Sequence, residues 1–180
     1  MRLITAPNFE NVKDTDKVIF LAGPIQGSFD WHKSAIHIVE TEMKKWSQLP
    51  NTPNIVIASP KRLTGKETTN DGYKNQVLWE KQFLERAGSN GVVLFWFCNQ
   101  KEITLNDDGK QRSYGKTSRT EWGEWKCRHD FQGVDVVLGL DTEWQKEKYF
   151  KTRIELDESN IPILFDLKST VLEAIKKCYK

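Results

Sequence analysis

Short, continuous apolar runs alternate along the chain with longer stretches in which apolar residues recur every three or four positions. Residues 18–22 (VIFLA) form the first run and end in Gly23-Pro24. A run apolar on both faces suits a strand buried in a parallel sheet. Asp30 then stands as N-cap of a helix reaching about residue 49, with Trp31, Ala35, Ile38, Val39, Met43 and Trp46 on one side. Residues 55–58 (IVIA) make a second strand closed by Ser59-Pro60, and the polar stretch 61–72 reads as a loop. A second helix over 73–87 has Trp79, Phe83, Leu84 and Ala87 on its buried side. Residues 91–97 (GVVLFWF) are the clearest strand, and 99–115 is polar enough to be an exposed excursion. A third helix is expected over 118–131 and a fourth strand over 134–140. Within 141–160 the pattern is ambiguous, with a helix near 144–150; a strand at 161–165 and a helix over 169–179 end the series.

Strands alternating with helices imply an α/β fold. The expectation is one domain over residues 1–180: a doubly wound, flavodoxin-like parallel sheet of about five strands with helices on both faces. Ligands of such sheets sit beyond the carboxyl ends of the strands, which gathers residues 23–30, 59–62 and 98–121 around one crevice.

Composition narrows the function classes. The 27 basic and 25 acidic residues nearly cancel, to a net charge of +2, unlike the clustered basic excess of a nucleic-acid sleeve. No apolar run approaches the roughly 20 residues of a membrane helix, and residues 1–16 carry no signal-peptide pattern. Cys98, Cys127 and Cys178 are odd in number and form no CxxC pair, which suggests reduced thiols in a cytoplasmic protein. His32, His37 and His129 are scattered and outline no zinc site. Seven Trp and nine Phe are enough to fill a core, line a base-stacking pocket or form a subunit interface.

Three segments carry candidate chemistry. In the first, residues 21–27 (LAGPIQG) followed by Asp30-Trp31, small residues let a ligand approach the backbone and the helix start offers free N–H groups. A plain strand-to-helix turn would look the same. The segment is not GxGxxG, so no dinucleotide cofactor is indicated. In the second, Gln76, Trp79 and Glu80 share a helical stripe with Phe83 and Ala87. A carboxylate and an amide on a largely buried stripe need partners, either a basic side chain or a polar ligand. In the third, residues 117–123 (TSRTEWG), Ser118 and Glu121 have capping-box spacing. The same position would hold Glu121 ionised beside the positive end of a helix. An ionised, positioned carboxylate is what attack on an anomeric carbon requires. Gly123 would let that turn pack closely on a strand or ligand.

Four features in this order resemble the nucleoside 2-deoxyribosyltransferase-like family: FLAGPI at 20–25 with Asp30-Trp31; QVLWE at 76–80 with Leu84 and Ala87; VVLFWF at 92–97; and SRTEWG at 118–123. The resemblance covers roughly residues 17–140. It implies a flavodoxin-like fold and cleavage of the bond between a base and a deoxyribose. In the family a glutamate, with a glycine two positions on, attacks the sugar C1′ to give a covalent glycosyl-enzyme, which a second base or water resolves. On this resemblance Glu121 is the nucleophile and Gly123 its companion glycine. Glu80 stands where an acidic side chain helps position the base, and Gly23, Pro24, Ile25 and Gln26 line the nucleoside pocket. The chain departs from the pattern in two places. The aspartate expected shortly before the nucleophile is replaced by Gly115, with Asp107 and Asp108 the nearest acids upstream. The family's first-strand tyrosine is replaced by Ile19 or Phe20. The resemblance therefore leaves protonation of the leaving base unassigned: the openings are another leaving group, Glu80 as the acid, or feeble transfer.

The expected mechanism is double displacement at Glu121, with Trp31, Trp79 and Phe97 stacked on the base and Gln76, Ser118 and Arg119 among the substrate contacts. A 5′-phosphate could be met by Lys61, Arg62 or Arg119, which otherwise are ordinary surface charges. No metal or organic cofactor is needed. The expected partner is a nucleoside or nucleotide rather than a nucleic acid or membrane, and the resemblance implies a homo-oligomer. Two alternatives compete: a nucleoside 5′-monophosphate N-glycosidase that uses water, and a non-catalytic nucleotide-binding module.

Overall fold

The computed structural model of the chain describes residues 1–46, 52–62, 70–106, 108–144 and 147–179. In chain order the elements are β1 (Arg2–Thr5), β2 (Lys17–Ala22), α1 (Trp31–Trp46), β3 (Ile55–Ser59), α2 (Asn70–Ser89) and β4 (Gly91–Phe97). There follow α3 (Lys116–Gln132), β5 (Val136–Leu140), α4 (Glu147–Leu156), β6 (Ile163–Leu164) and α5 (Leu167–Cys178). The six strands among the described residues pair in parallel in the order β1-β3-β2-β4-β5-β6. With β1 set aside, this is the order of a flavodoxin-like doubly wound sheet, as the alternation of elements predicts. The order reverses between β2 and β4, so the loops leaving their carboxyl ends diverge there and open a crevice.

Period-two alternation assigns each strand residue to a face. Ile19, Leu21, Ile57, Val92, Leu94, Trp96 and Val137 pack under α1 and α5. Val18, Phe20, Ala58, Val93, Phe95, Phe97 and Leu138 pack under α2, α3 and α4. Every residue of β3 and β5 is buried. Each fully buried aliphatic or phenyl side chain contributes about 1.5–3 kcal/mol, so strands apolar on both sides settle at the centre of the sheet. Asp30 caps α1 as expected, its Oδ1 accepting from Lys33 N at 3.1 Å.

The structure departs from the sequence expectations in several places. β1 has no counterpart among the expected strands and brings the sheet to six. It pairs with β3 from Arg2↔Val56 to Thr5↔Ser59, and Ile4 is its one fully buried residue. A four-residue edge strand with one inward side chain leaves almost no periodic signal. The expected end of α1 near residue 49 lies outside the described residues. α2 starts at Asn70, inside the stretch expected to be loop. α4 falls after rather than over Trp144, which is buried against Phe97 at 5.5 Å between ring centroids. β6 shrinks to two residues.

Candidate active site

α2 and α3 cover the same face of the sheet, where Arg128 of α3 pairs with Glu85 of α2 at 2.9 Å and the charge of Glu80 bears on Glu121. On α3, Ser118, Glu121, Trp122 and Trp125 form one stripe at helical spacing. Trp122 stands edge-on to Phe95 at 5.4 Å and meets Phe150 at 5.5 Å. Trp125 lies so close to α2 that a Cβ on Gly88 would come within 2.5 Å of its ring. Glu121 shares this inward stripe and is half-buried. Its carboxyl makes no hydrogen bond or ion pair among the described residues. Burial, then the charge of Glu80, then that of Glu124, push it up to about 8.

Glu80 is held quite differently. Its Oε1 accepts from Gln76 Nε2 at 2.8 Å, one helical turn earlier on α2. The same Nε2 donates to the Pro60 carbonyl at 3.0 Å, while Gln76 Oε1 accepts from Arg62 Nε at 2.8 Å. Arg62 Nη2 in turn donates to the Gly72 carbonyl at 3.0 Å. Burial raises the Glu80 carboxyl, against the Gln76 hydrogen bond and the Arg62 charge, which lower it. Half of this network leaves the carboxyl end of β3 and half stands on α2. Its position is the one the ligand-binding rule for doubly wound sheets anticipates.

The loop after β2 closes against the start of α3. The Pro24 carbonyl accepts from Trp31 Nε1 at 2.7 Å and Ser28 Oγ at 2.9 Å. Gly23 has φ +151, and a Cβ there would lie 2.2 Å from the Trp96 carbonyl oxygen, so no other residue fits. Gly115 sits at the N-cap of α3 with φ 61, and a Cβ there would be 3.1 Å from Pro24 Cγ. The position at which the resemblance expects an aspartate is thus a left-handed turn pressed onto Pro24. Tyr114 anchors this turn to the end of β4, its hydroxyl donating to the Cys98 carbonyl at 2.9 Å.

Several sequence expectations are corrected here. The capping box is absent: the N-cap is Gly115, no side chain caps the helix, and Ser118 is buried within the first turn. Glu121 lies in the second turn, where the helix dipole has faded. Burial therefore outweighs the dipole, and the carboxyl is raised rather than held low. Trp31, Trp79 and Phe97 have relative exposures of 0 %, leaving no ring face open to a base. Trp79 Nε1 is spent on the Asn8 carbonyl at 2.8 Å. Gly123 points the other way, and a Cβ there would meet nothing within 4 Å. The three cations considered for a phosphate are engaged within the chain: Lys61 with Asp30 at 2.5 Å, Arg62 with Gln76, and Arg119 Nη1 with the Tyr114 carbonyl at 2.7 Å. Gln26 and Asp30 are exposed, while Gly23 and Pro24 are buried.

The link between Arg62 and Gln76 was not legible in the sequence, because it joins a turn to a helix across 14 positions. Among the described residues no group of three or more His, Cys, Asp or Glu could hold a metal ion. None of the described helices is long and apolar enough to cross a membrane. An open groove of about 650 Å³ runs between residues 9–12 and Gln82, Phe83, Glu85, Arg86 and Ser89 of α2. It contains neither member of the carboxylate pair, and its size alone gives it no chemistry. No protein-family model matches the chain, and no curated protein is significantly similar to it in sequence.

Proposed function

We propose that the protein cleaves or transfers the N-glycosidic bond of a nucleoside or nucleotide through the pair Glu80 and Glu121, in the manner of nucleoside 2-deoxyribosyltransferase-like enzymes. The observation that carries this reading is the unpartnered, half-buried Glu121 carboxyl lying within reach of the Glu80 charge beside the carboxyl edge of the sheet. Folding alone gives no reason to keep an acid there, since burying an unpaired carboxyl is unfavourable. Paired carboxylates whose surroundings differ are the working parts of glycoside chemistry.

In the proposed reaction a Glu121 oxygen bonds to C1′ as the C1′–N bond breaks. The bonding electrons leave with the base, which takes a proton from Glu80. A second base, or water, then attacks C1′ and gives its proton to the Glu80 carboxylate, and Glu121 departs as carboxylate. The negative Glu121 opposes the positive charge that builds on the sugar in the transition state. The chemistry calls for no metal or organic cofactor.

The test is incubation with a panel of deoxynucleosides and their 5′-monophosphates plus a free second base, followed by chromatography. A new nucleoside identifies a transferase; free base with free sugar identifies a hydrolase. Glu121→Gln should lower either activity by about a thousandfold or more, as loss of a covalent nucleophile does. Undiminished turnover in that variant, or binding without any turnover in the wild type, rejects the proposal.

A further inference from the structure

The two carboxylates of the pair are not equivalent. Glu80 is wired to a cation: Arg62 Nε donates to Gln76 Oε1, and Gln76 Nε2 donates to Glu80 Oε1, both at 2.8 Å. The Arg62 donor fixes the orientation of the Gln76 amide, so that its N–H, not its oxygen, faces Glu80. Glu121 has no donor at all among the described residues. The charges facing Glu121 are those of Glu80 on α2 and Glu124 on its own helix, both negative.

We infer that near neutral pH the pair holds a single proton, and that Arg62, acting through the Gln76 amide, decides which carboxylate carries it. In the ligand-free protein the donor and the cation act against the rise that burial gives the Glu80 carboxyl, and the proton rests on Glu121, which has neither. A carboxylate that accepts a hydrogen bond and faces a cation is favoured in its charged form, whereas one that is buried beside like charge is not. A carboxyl that titrates beside the charge of a second carboxylate does so in steps that belong to the pair. Arg62 and Gln76 are then positioning residues, acting through Glu80 rather than on the substrate. The inference rests on the proposed pair and adds to it a step within the pair. Passage of the proton from Glu121 to Glu80 leaves one ionised nucleophile and one protonated acid, with no proton gained or lost.

The experiment is a pH titration of the ligand-free protein carrying ¹³C-labelled glutamate carboxyls, followed by NMR, with the two resonances assigned from Glu80→Gln and Glu121→Gln. Glu121 should titrate at about 8, with Glu80 below it. Gln76→Leu should raise the Glu80 midpoint by about one pH unit or more and lower that of Glu121, because Glu80 loses its donor and its link to the cation. Arg62→Met should act in the same direction, and Arg62→Lys, which keeps the charge, should shift both midpoints less. The two positions supply independent variants should one of them fail to fold. Ordinary carboxylate midpoints for both residues overturn the shared proton, and midpoints unmoved in the folded variants overturn the relay. The titration involves no turnover, so its failure is separate from failure of the glycosidic reading, which the Glu121→Gln turnover assay decides.

Discussion

The two faces of the sheet are built from different materials. Under α1 and α5 the packing is mainly aliphatic, from Ile19, Leu21, Ile57, Val92, Leu94, Val171 and Ile175. Its buried polar side chains are locally satisfied or neutral: Thr170 Oγ1 donates to the Asp166 carbonyl at 2.8 Å, and His32 Nδ1 meets Ser59 Oγ at 2.9 Å. Burial pushes the His32 imidazole down to about 3, so it stays uncharged. Under α2, α3 and α4 the packing is aromatic, with Phe95 and Phe97 stacked at 6.0 Å and Trp79 against Phe83 at 4.5 Å. Here charge is retained. Lys126, 6 % exposed, bridges Asp130 at 2.6 Å and Asp157 at 2.7 Å, and Glu80 is tied to Arg62 through Gln76. Of the charged side chains turned inward on this face, only Glu121 has no partner among the described residues. One face thus buries only neutral or paired groups, Trp96 Nε1 and the Tyr179 hydroxyl being neutral ones without a hydrogen bond, and the other keeps one acid in an unfavourable place. That asymmetry separates a face built for stability from one carrying a candidate site.

The largest expected effect would show that both faces are equally structural. Trp31→Ala and Trp79→Ala should each cost about 3–5 kcal/mol in denaturant melts, because each leaves a large cavity. Unequal losses would break the symmetry of the two cores. Trp79→Phe sharpens the point: with its ring closed to solvent, the substitution should leave the KM of any substrate unchanged.

A second effect, on the order of a few kcal/mol, is opposite in sign on the two faces. The Glu121 carboxyl is raised from 4.5 to about 8, so the folded state holds its proton more tightly than the unfolded state does. Its contribution is fully present below about pH 4.5 and is lost as pH rises toward 8. The His32 imidazole is lowered from 6.5 to about 3. Its contribution is present above pH 6.5 and is lost as pH falls toward 3. Melting temperatures measured from pH 4 to 9 should therefore flatten on the alkaline side in Glu121→Gln and on the acid side in His32→Gln. No change of slope in Glu121→Gln would deny that its carboxyl is buried unpaired.

The smallest effects come from two glycines on the helices that carry the candidate site, Gly88 on α2 and Gly123 on the outer side of α3. Gly88→Ala would press on the Trp125 ring at 2.5 Å and should cost about 1–3 kcal/mol. Gly123→Ala enters open space and should add about 0.5–1 kcal/mol through helix propensity. Both are read from the midpoint of a urea melt. A loss at Gly123 would mean that its face is covered in the folded protein after all.

Residues 18–22, 55–58 and 91–97 declared themselves as central strands because they are apolar on both sides, a condition only a doubly covered parallel sheet satisfies. The stripe of Gln76, Trp79, Glu80, Phe83 and Ala87 was equally plain, since helical spacing encodes which side of an element turns inward. Those local periodicities determine the elements, their faces and hence the fold class. They do not say which stripe meets which. That Glu80 and Glu121 share one face, that Arg62 reaches Gln76, and that Trp31, Trp79 and Phe97 are sealed into the core follow from how the chain crosses over the sheet. The electrostatics of Glu121 changed sign for the same reason: a helix start favours an ionised acid by local geometry, while desolvation and a neighbouring carboxylate exist only once α2 and α3 are packed together.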